Sequence, residues 1–180
     1  MSLDKISAQL ASNNKTLPPV EQWDPPYCGD IDIQIKNNGD WFHNGSVFKR
    51  LALVKLFASV LIKEEQHNTS EYFLVTPVEK VKITVDDAPF VITQWQWQDD
   101  QQSQLQVTTN LDDVFTLGKE NPITTNTDGD LYVLVRRNLL AKVHRNVYYQ
   151  WVAMAHEIIT EQGTELVISS DDCQFSLGRY

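Results

Sequence analysis

The sequence predicts an α+β protein of two similar halves, each a small antiparallel sheet with one main helix. Three observations lead there. Several short segments alternate apolar and polar residues with the period of two that belongs to strands. Two longer segments, from Ser46 to about Glu65 and from Asn138 to about Glu161, repeat apolar residues at helical spacing. A Gly-Asp pair precedes each of them, Gly39-Asp40 and Gly129-Asp130.

Residues 1–25 are expected to form an N-terminal helix and an extended arm. Leu3, Ile6 and Leu10 have helical spacing, and Pro18-Pro19 ends that helix because the residue before a proline avoids the helical region. Trp23 is expected to pin the arm. Residues 26–99 make the N-terminal half. Asp30 to Lys36 alternates strictly and reads as a half-buried strand, Asn37 to Asp40 as a turn, and Trp41 to His43 as the returning strand. Gly45 breaks that strand and Ser46 caps the first helix, with Phe48, Leu51, Val54, Phe57, Val60 and Leu61 on its buried face. His67 to Ser70 is a loop. Strands follow at Tyr72–Thr76, Lys80–Asp86 and Phe90–Gln98.

Residues 100–180 make the C-terminal half. The polar run Asp99 to Gln104 is either a hairpin tip or the boundary between the halves. Leu105–Thr109 is a strand, residues 118–130 are loop-rich, and Leu131–Val135 is a strand. Asn138 caps the second helix, with Leu140, Val143, Val147, Trp151, Met154 and Ile158 on its apolar face, and Gly163 ends it. Glu165–Ser169 and Gln174–Leu177 are the last strands.

Placing Arg145 on Arg50 aligns residues 143–153 with 48–58 and conserves polar or apolar character at every pair except Leu51/Asn146. Downstream, Phe73-Leu74-Val75 then matches Leu166-Val167-Ile168. A duplication explains this. So does the tendency of any two amphipathic helices to match in their best register. A true duplication makes the junction of the halves a natural ligand site.

Composition narrows the function. The 180 residues are 42% hydrophobic and 22% charged, ordinary for a folded chain, and the net charge of −9 disfavours nucleic-acid duplexes and anionic membranes as partners. No apolar run approaches the ~20 residues needed to span a bilayer. The N-terminus lacks the apolar core of a signal peptide, so the expected compartment is the cytoplasm and the two cysteines, Cys28 and Cys173, are read as free thiols.

No catalytic pattern is present: neither G-x-S-x-G, G-x-G-x-x-G nor a P-loop occurs. His156-Glu157 starts like a zincin, but Thr160 stands where the second histidine belongs. The run Asn126–Asp130 resembles part of a calcium loop, yet Val135 occupies the closing glutamate position. The expectation is a protein without enzymatic activity, metal or cofactor.

One feature does suggest a ligand. Arg136, Arg137, Lys142 and Arg145 put four of the fifteen Lys and Arg residues into ten positions of an acidic chain, with His144 beside them. Cations at the start of a helix oppose its dipole but suit an anionic ligand. Lys49 and Arg50 stand at the matching place in the first half. The plainer reading is that these arginines pair with Asp128, Asp130 or Glu157 in solvated ion pairs. Among the aromatics, Trp151 reads as core, and Tyr149, off the apolar face, as the better residue to stack a base.

Several blocks resemble one bacterial family: Trp41…Gly45-Ser46…Arg50…Leu56-Phe57, Tyr72 to Val81, Asp86-Asp87-Ala88-Pro89-Phe90, Thr109-Asn110 and Arg145-x-x-Tyr148-Tyr149. Over residues 20–180 they are similar to domain-of-unknown-function family 1285. The resemblance implies a duplicated α+β core with a second half of superficial pleckstrin-homology-like look. It also implies a nucleotide-like ligand between the halves and a role in signalling. On that basis the candidate ligand residues are Arg50, Thr76, Glu79, Lys80, Asp87, Asn110, Arg145 and Tyr149. The functional expectation is a non-enzymatic sensor of a nucleotide-like anion. The alternative is a protein-interaction module using a sheet edge or apolar patch.

Overall fold

The computed structural model describes residues 7–8, 17–66, 69–161 and 163–179. The expected N-terminal helix falls outside them save for Ser7 and Ala8, which are helical, and Leu17, as does the first part of the expected loop at His67-Asn68. The chain divides into two units, Met1–Asp87 and Ala88–Tyr180. Each is described by itself.

In the first unit a 3₁₀ turn at Val20–Gln22 leads into the sheet, and Val20, 4% exposed, rather than Trp23 is the buried anchor of the arm. The strands are β1 (Tyr27–Ile35), β2 (Trp41–His43), β3 (Ser46–Val47), β4 (Leu61–Gln66), β5 (Thr69–Val75) and β6 (Lys80–Val85), with helix α1 (Leu51–Ser59) between β3 and β4. They form one sheet in the order β3-β2-β1-β6-β5-β4. Two antiparallel meanders are joined by a parallel pairing of β1 with β6. Ile33, Ile35, Trp41, Phe57, Leu61 and Leu74 are its largest fully buried side chains among the described residues.

The expected helix from Ser46 to Glu65 is shortened at both ends. Asn44 and Gly45 both take positive φ, 48° and 75°, which suits a two-residue hairpin, so the chain returns at Ser46 as a strand and Ser46 caps nothing. Arg50 is the N-cap instead. At the other end Leu61 to Gln66 pairs residue for residue with Leu74 to Thr69, and that ladder overrides helical spacing.

The second unit holds β7 (Phe90–Trp97), β8 (Leu105–Thr109), β9 (Val114–Thr116), β10 (Ile123–Thr125), β11 (Leu131–Arg136) and β12 (Leu139–Val143). Helix α2 (Arg145–Met154) follows, then β13 (His156–Thr160), β14 (Gly163–Ser170) and β15 (Cys173–Arg179). The six-stranded sheet runs β10-β11-β12-β7-β8-β9, again two meanders joined by one parallel pair, and β13-β14-β15 form a second sheet. Each half is thus sheet-dominated, and its large sheet is mixed rather than purely antiparallel. The division expected at 99/100 moves to Asp87/Ala88, because β7 pairs with β8 and β12. Asp99–Gln104 is the tip of the β7–β8 hairpin, closed by the Gln98 N–H donating to the Gln104 carbonyl at 2.9 Å.

The expected helix from Asn138 to Glu161 also contracts. Leu139, Ala141 and Val143 are buried in strict alternation, the signature of a strand, while Arg137 at φ 53° turns the chain beside Asn138. His144 rather than Asn138 caps α2, its Nδ1 accepting from the Asn146 N–H at 3.2 Å. His156–Thr160 leaves the helix to pair with β14, and Gly163 opens β14 instead of ending a helix. The run of three strands, helix and three strands nevertheless recurs: β1–β3, α1, β4–β6 in the first unit and β10–β12, α2, β13–β15 in the second. Where β1 and β6 pair in the first run, β10 and β15 lie against each other in the second. The meander β7–β9 is the second unit's addition.

Ser170, 1% exposed, ties the small sheet to the large one. Its Oγ accepts from the Leu105 N–H at 2.9 Å and donates to the Leu117 carbonyl at 2.7 Å. Replacing Ser170 with Ala orphans both backbone groups at once. The expected loss is about 1–3 kcal/mol of stability, read from the urea midpoint of the variant against the parent.

Candidate functional site

The end of β12 and the start of α2 place the basic residues. Val143 is buried against the sheet, and the His144 N–H extends the parallel pairing by donating to the Ile92 carbonyl at 3.0 Å. His144 then caps α2, which fixes Arg145 as the first helical residue. On the other wall, Asn126 holds a tight turn by accepting at its Oδ1 from the N–H groups of Asp128 and Asp130, at 3.0 and 2.8 Å. Between these elements lies a pocket of about 400 Å³ lined by Asp128, Asp130, Lys142, Arg145, Tyr148 and Tyr149, with Gly129, Leu131 and Val143.

The pocket's charges are unevenly satisfied. Lys142 Nζ lies 2.7 Å from Asp130 Oδ2 and 5.8 Å from the centre of the Tyr132 ring. Arg145 is exposed, and its guanidinium has no hydrogen-bond or ion-pair partner among the described residues. The same holds for the Asp128 carboxylate. Tyr149 is 57% exposed, its ring 5.8 Å from that of Tyr148. An exposed aromatic beside an unpartnered guanidinium can hold a planar group and an anion together.

Arg145 and Tyr149 are the two sequence candidates brought into one pocket. Asn110, in the same unit, spends its polar groups on the fold: its Oδ1 accepts from the Val91 N–H at 2.9 Å and its own N–H donates to the Val91 carbonyl at 2.8 Å. Arg136 is committed as well. Its Nη1 is 2.7 Å from Asp113 Oδ1 and its guanidinium lies 4.7 Å from the Phe90 ring. Burial holds Arg136 below its ordinary pKa, and the Asp113 carboxylate only partly offsets it.

The other five candidates lie in the first unit. Thr76 is 1% exposed and its Oγ1 accepts from the Glu79 N–H at 3.1 Å, holding the turn between β5 and β6. Glu79 leaves that turn half-buried, with Oε2 enclosed and lacking a hydrogen-bond partner among the described residues. Lys80 pairs with Glu64 at 2.5 Å, stands 4.3 Å over the Phe73 ring and lines a second pocket of about 330 Å³ with Tyr27, Glu71 and Lys82. Lys82 is itself paired to Glu71, which holds its ammonium pKa up. Arg50 is exposed at the start of α1. Asp87 is half-buried and acts on Tyr72.

Sequence reading put Lys142 in the basic cluster and named Asp128 and Asp130 as partners for its arginines, but left all three, with Tyr148, out of the candidate ligand residues. The signal was available: reading 139–143 as a strand registers Lys142 against Tyr132, next to the Gly129-Asp130 turn. Among the described residues no group of three or more His, Cys, Asp and Glu is placed to hold a metal, and no helix is long and apolar enough to cross a membrane.

The N-terminal domain of DUF1285, a domain of unknown function, matches residues 18–88, and the C-terminal domain of DUF1285, a protein of unknown function, matches residues 89–177. The chain belongs to the DUF1285 family. It is similar to the crystal structure of a DUF1285 family protein from Silicibacter pomeroyi DSS-3, at 34% identity and a TM-score of 0.81, over 97% of this chain and 94% of that one. A DUF1285 family protein from Shewanella baltica OS155 is 32% identical with a TM-score of 0.54, over 67% of this chain and 90% of that one. No curated protein matches.

Tyr72 gives a pH test of the Asp87 position. Burial first, and the nearby Asp87 and Glu65 carboxylates after it, push the Tyr72 hydroxyl above its ordinary pKa. A tyrosine is neutral below its pKa, so the unfolded chain ionises first as pH rises. Stability from Tyr72 is whole below the unfolded value of about 10 and drains away as pH climbs through the folded value. Tyr72→Phe is therefore expected to lose less stability than the parent between about pH 8 and about pH 11, measured by urea unfolding across that range.

Proposed function

We propose that this DUF1285 protein is a non-enzymatic ligand-binding sensor, working in the cytoplasm in signal transduction, whose second unit takes a small nucleotide-like anion. The observation that carries the reading is Arg145, a guanidinium without a partner among the described residues that lines a pocket together with Tyr149. Its position in the first turn of α2 opposes the helix dipole, an arrangement that an anion held between them would reverse into stabilisation. Arg145 takes the phosphate through two parallel N–H donors, and Tyr149 stacks the base. The order of six strands followed by α2 suits a pleckstrin-homology-like reading of this unit.

The second reading is a protein-interaction module. Its support is Ile159, 88% exposed on β13, which stands at the edge of the three-stranded sheet and offers a strand to a partner. In that case Ile159→Lys weakens association in sedimentation while leaving the melting temperature of the free protein within the scatter of a surface change.

Thermal shift against mono-, di- and triphosphate nucleosides tests the first reading. A ligand at a hundred times its dissociation constant is expected to stabilise the parent by about 2.7 kcal/mol. Arg145→Ala, which removes no side-chain hydrogen bond or ion pair among the described residues, is expected to keep the ligand-free melting temperature and lose the shift. A screen in which no nucleotide moves the parent overturns the sensor reading.

A further inference from the structure

The charge balance of the α2 pocket restricts what it accepts. Its ionisable lining holds two acids, Asp128 and Asp130, against two bases, Lys142 and Arg145. Lys142 is already engaged with Asp130 at 2.7 Å. Of the lining cations this leaves Arg145 without a partner among the described residues, while Asp128 is likewise a carboxylate with no partner among them in the same pocket. A polyphosphate brings three or four negative charges to one available cation and an exposed acid, and each unmatched negative charge is repelled by Asp128. A ligand with a single anionic group avoids that. Its neutral part can moreover donate hydroxyl or amino hydrogens to Asp128, which accepts at both oxygens.

We infer that the pocket selects ligands with one anionic head group and a hydroxyl- or amine-bearing body, and that Asp128 is the residue that excludes polyphosphates. The head group sits on Arg145, the donors of the body on Asp128. The Lys142–Asp130 pair stays intact as the floor between them. The inference rests on the anion-binding reading of this pocket and narrows it to a substrate class. A nucleoside monophosphate and a free sugar phosphate share this chemistry, and separate ligands tell them apart.

The experiment is a set of titrations in chelator and at low salt, since screening weakens the discrimination. Adenosine monophosphate, ribose 5-phosphate, inorganic phosphate and adenosine triphosphate are each titrated into the full chain and into Asp128→Asn. Asp128 is exposed and among the described residues the turn uses its backbone N–H rather than its side chain, so the variant keeps the turn. The parent is expected to bind at least one of the two monophosphate esters roughly fivefold or more tighter than the triphosphate and tighter than inorganic phosphate. In Asp128→Asn the triphosphate gains and the ester loses, so the gap closes. Triphosphate binding equal to or tighter than both esters in the parent overturns the inference and leaves anion binding standing. An unchanged preference in Asp128→Asn overturns the role given to Asp128. Binding of none of the four removes the pocket reading and this inference with it.

Discussion

The parallel pairing inside each large sheet is the constraint on which the rest of the structure depends. An antiparallel meander closes on itself with local turns, whereas β1 with β6 and β7 with β12 join strands distant along the chain. In the second unit that pairing traps β12 between β11 and β7, which explains why Leu139 and Ala141 are fully buried. It also sets where the next element can begin. With Val143 paired to Ile92 and the His144 N–H bound to the Ile92 carbonyl, the chain must turn away at Arg145. The position of the arginine is thus a consequence of strand register rather than of helix propensity.

Polar residues of the chain divide by what the fold asks of them. Thr76, Asn110 and Ser170 are drawn inward because strand ends and turns leave backbone groups that need partners, and an enclosed unpaired group is costly. Arg136 is spent in the same way on Asp113 and the Phe90 ring. Arg145 and Asp128 stand apart from these. Neither closes a turn with its side chain nor meets an opposite charge among the described residues, and both line one pocket. Side chains of no structural use, gathered at a concavity, are the ones available to a ligand.

Strands were legible in the sequence wherever alternation was unaccompanied by another period. Asp30–Lys36, Lys80–Asp86 and Phe90–Gln98 correspond within a few residues to β1, β6 and β7. Both helices were read too long, for one reason: Leu61-Ile62 and Leu139–Val143 satisfy the helical and the strand periods together, and only a partner strand decides between them. Asn44-Gly45 was a stronger hairpin signal than Ser46 was a cap signal, since two successive positive-φ residues set the chain direction before a cap can form. In the site, Arg145 and Tyr149 showed themselves as a cation and an aromatic out of place on an amphipathic helix. Lys142, Asp128 and Asp130 were visible as charges near Arg145 along the chain, but their gathering in one pocket with it was not, because that follows from the β11–β12 register.

That same register links the two kinds of charge in the pocket. Tyr132 opposite Lys142 puts the lysine one strand away from the Asn126–Asp130 turn, within reach of Asp130. The turn is held by Asn126 through backbone N–H groups, which leaves the Asp128 side chain outside its own scaffold. The Lys142–Asp130 pair therefore cancels one lysine, and the pocket keeps one positive group from α2 and one negative group from the Asn126–Asp130 turn. On the proposed reading, a site built this way discriminates by matching and by repulsion at once, since the carboxylate that accepts a hydroxyl is the one that rejects a second phosphate.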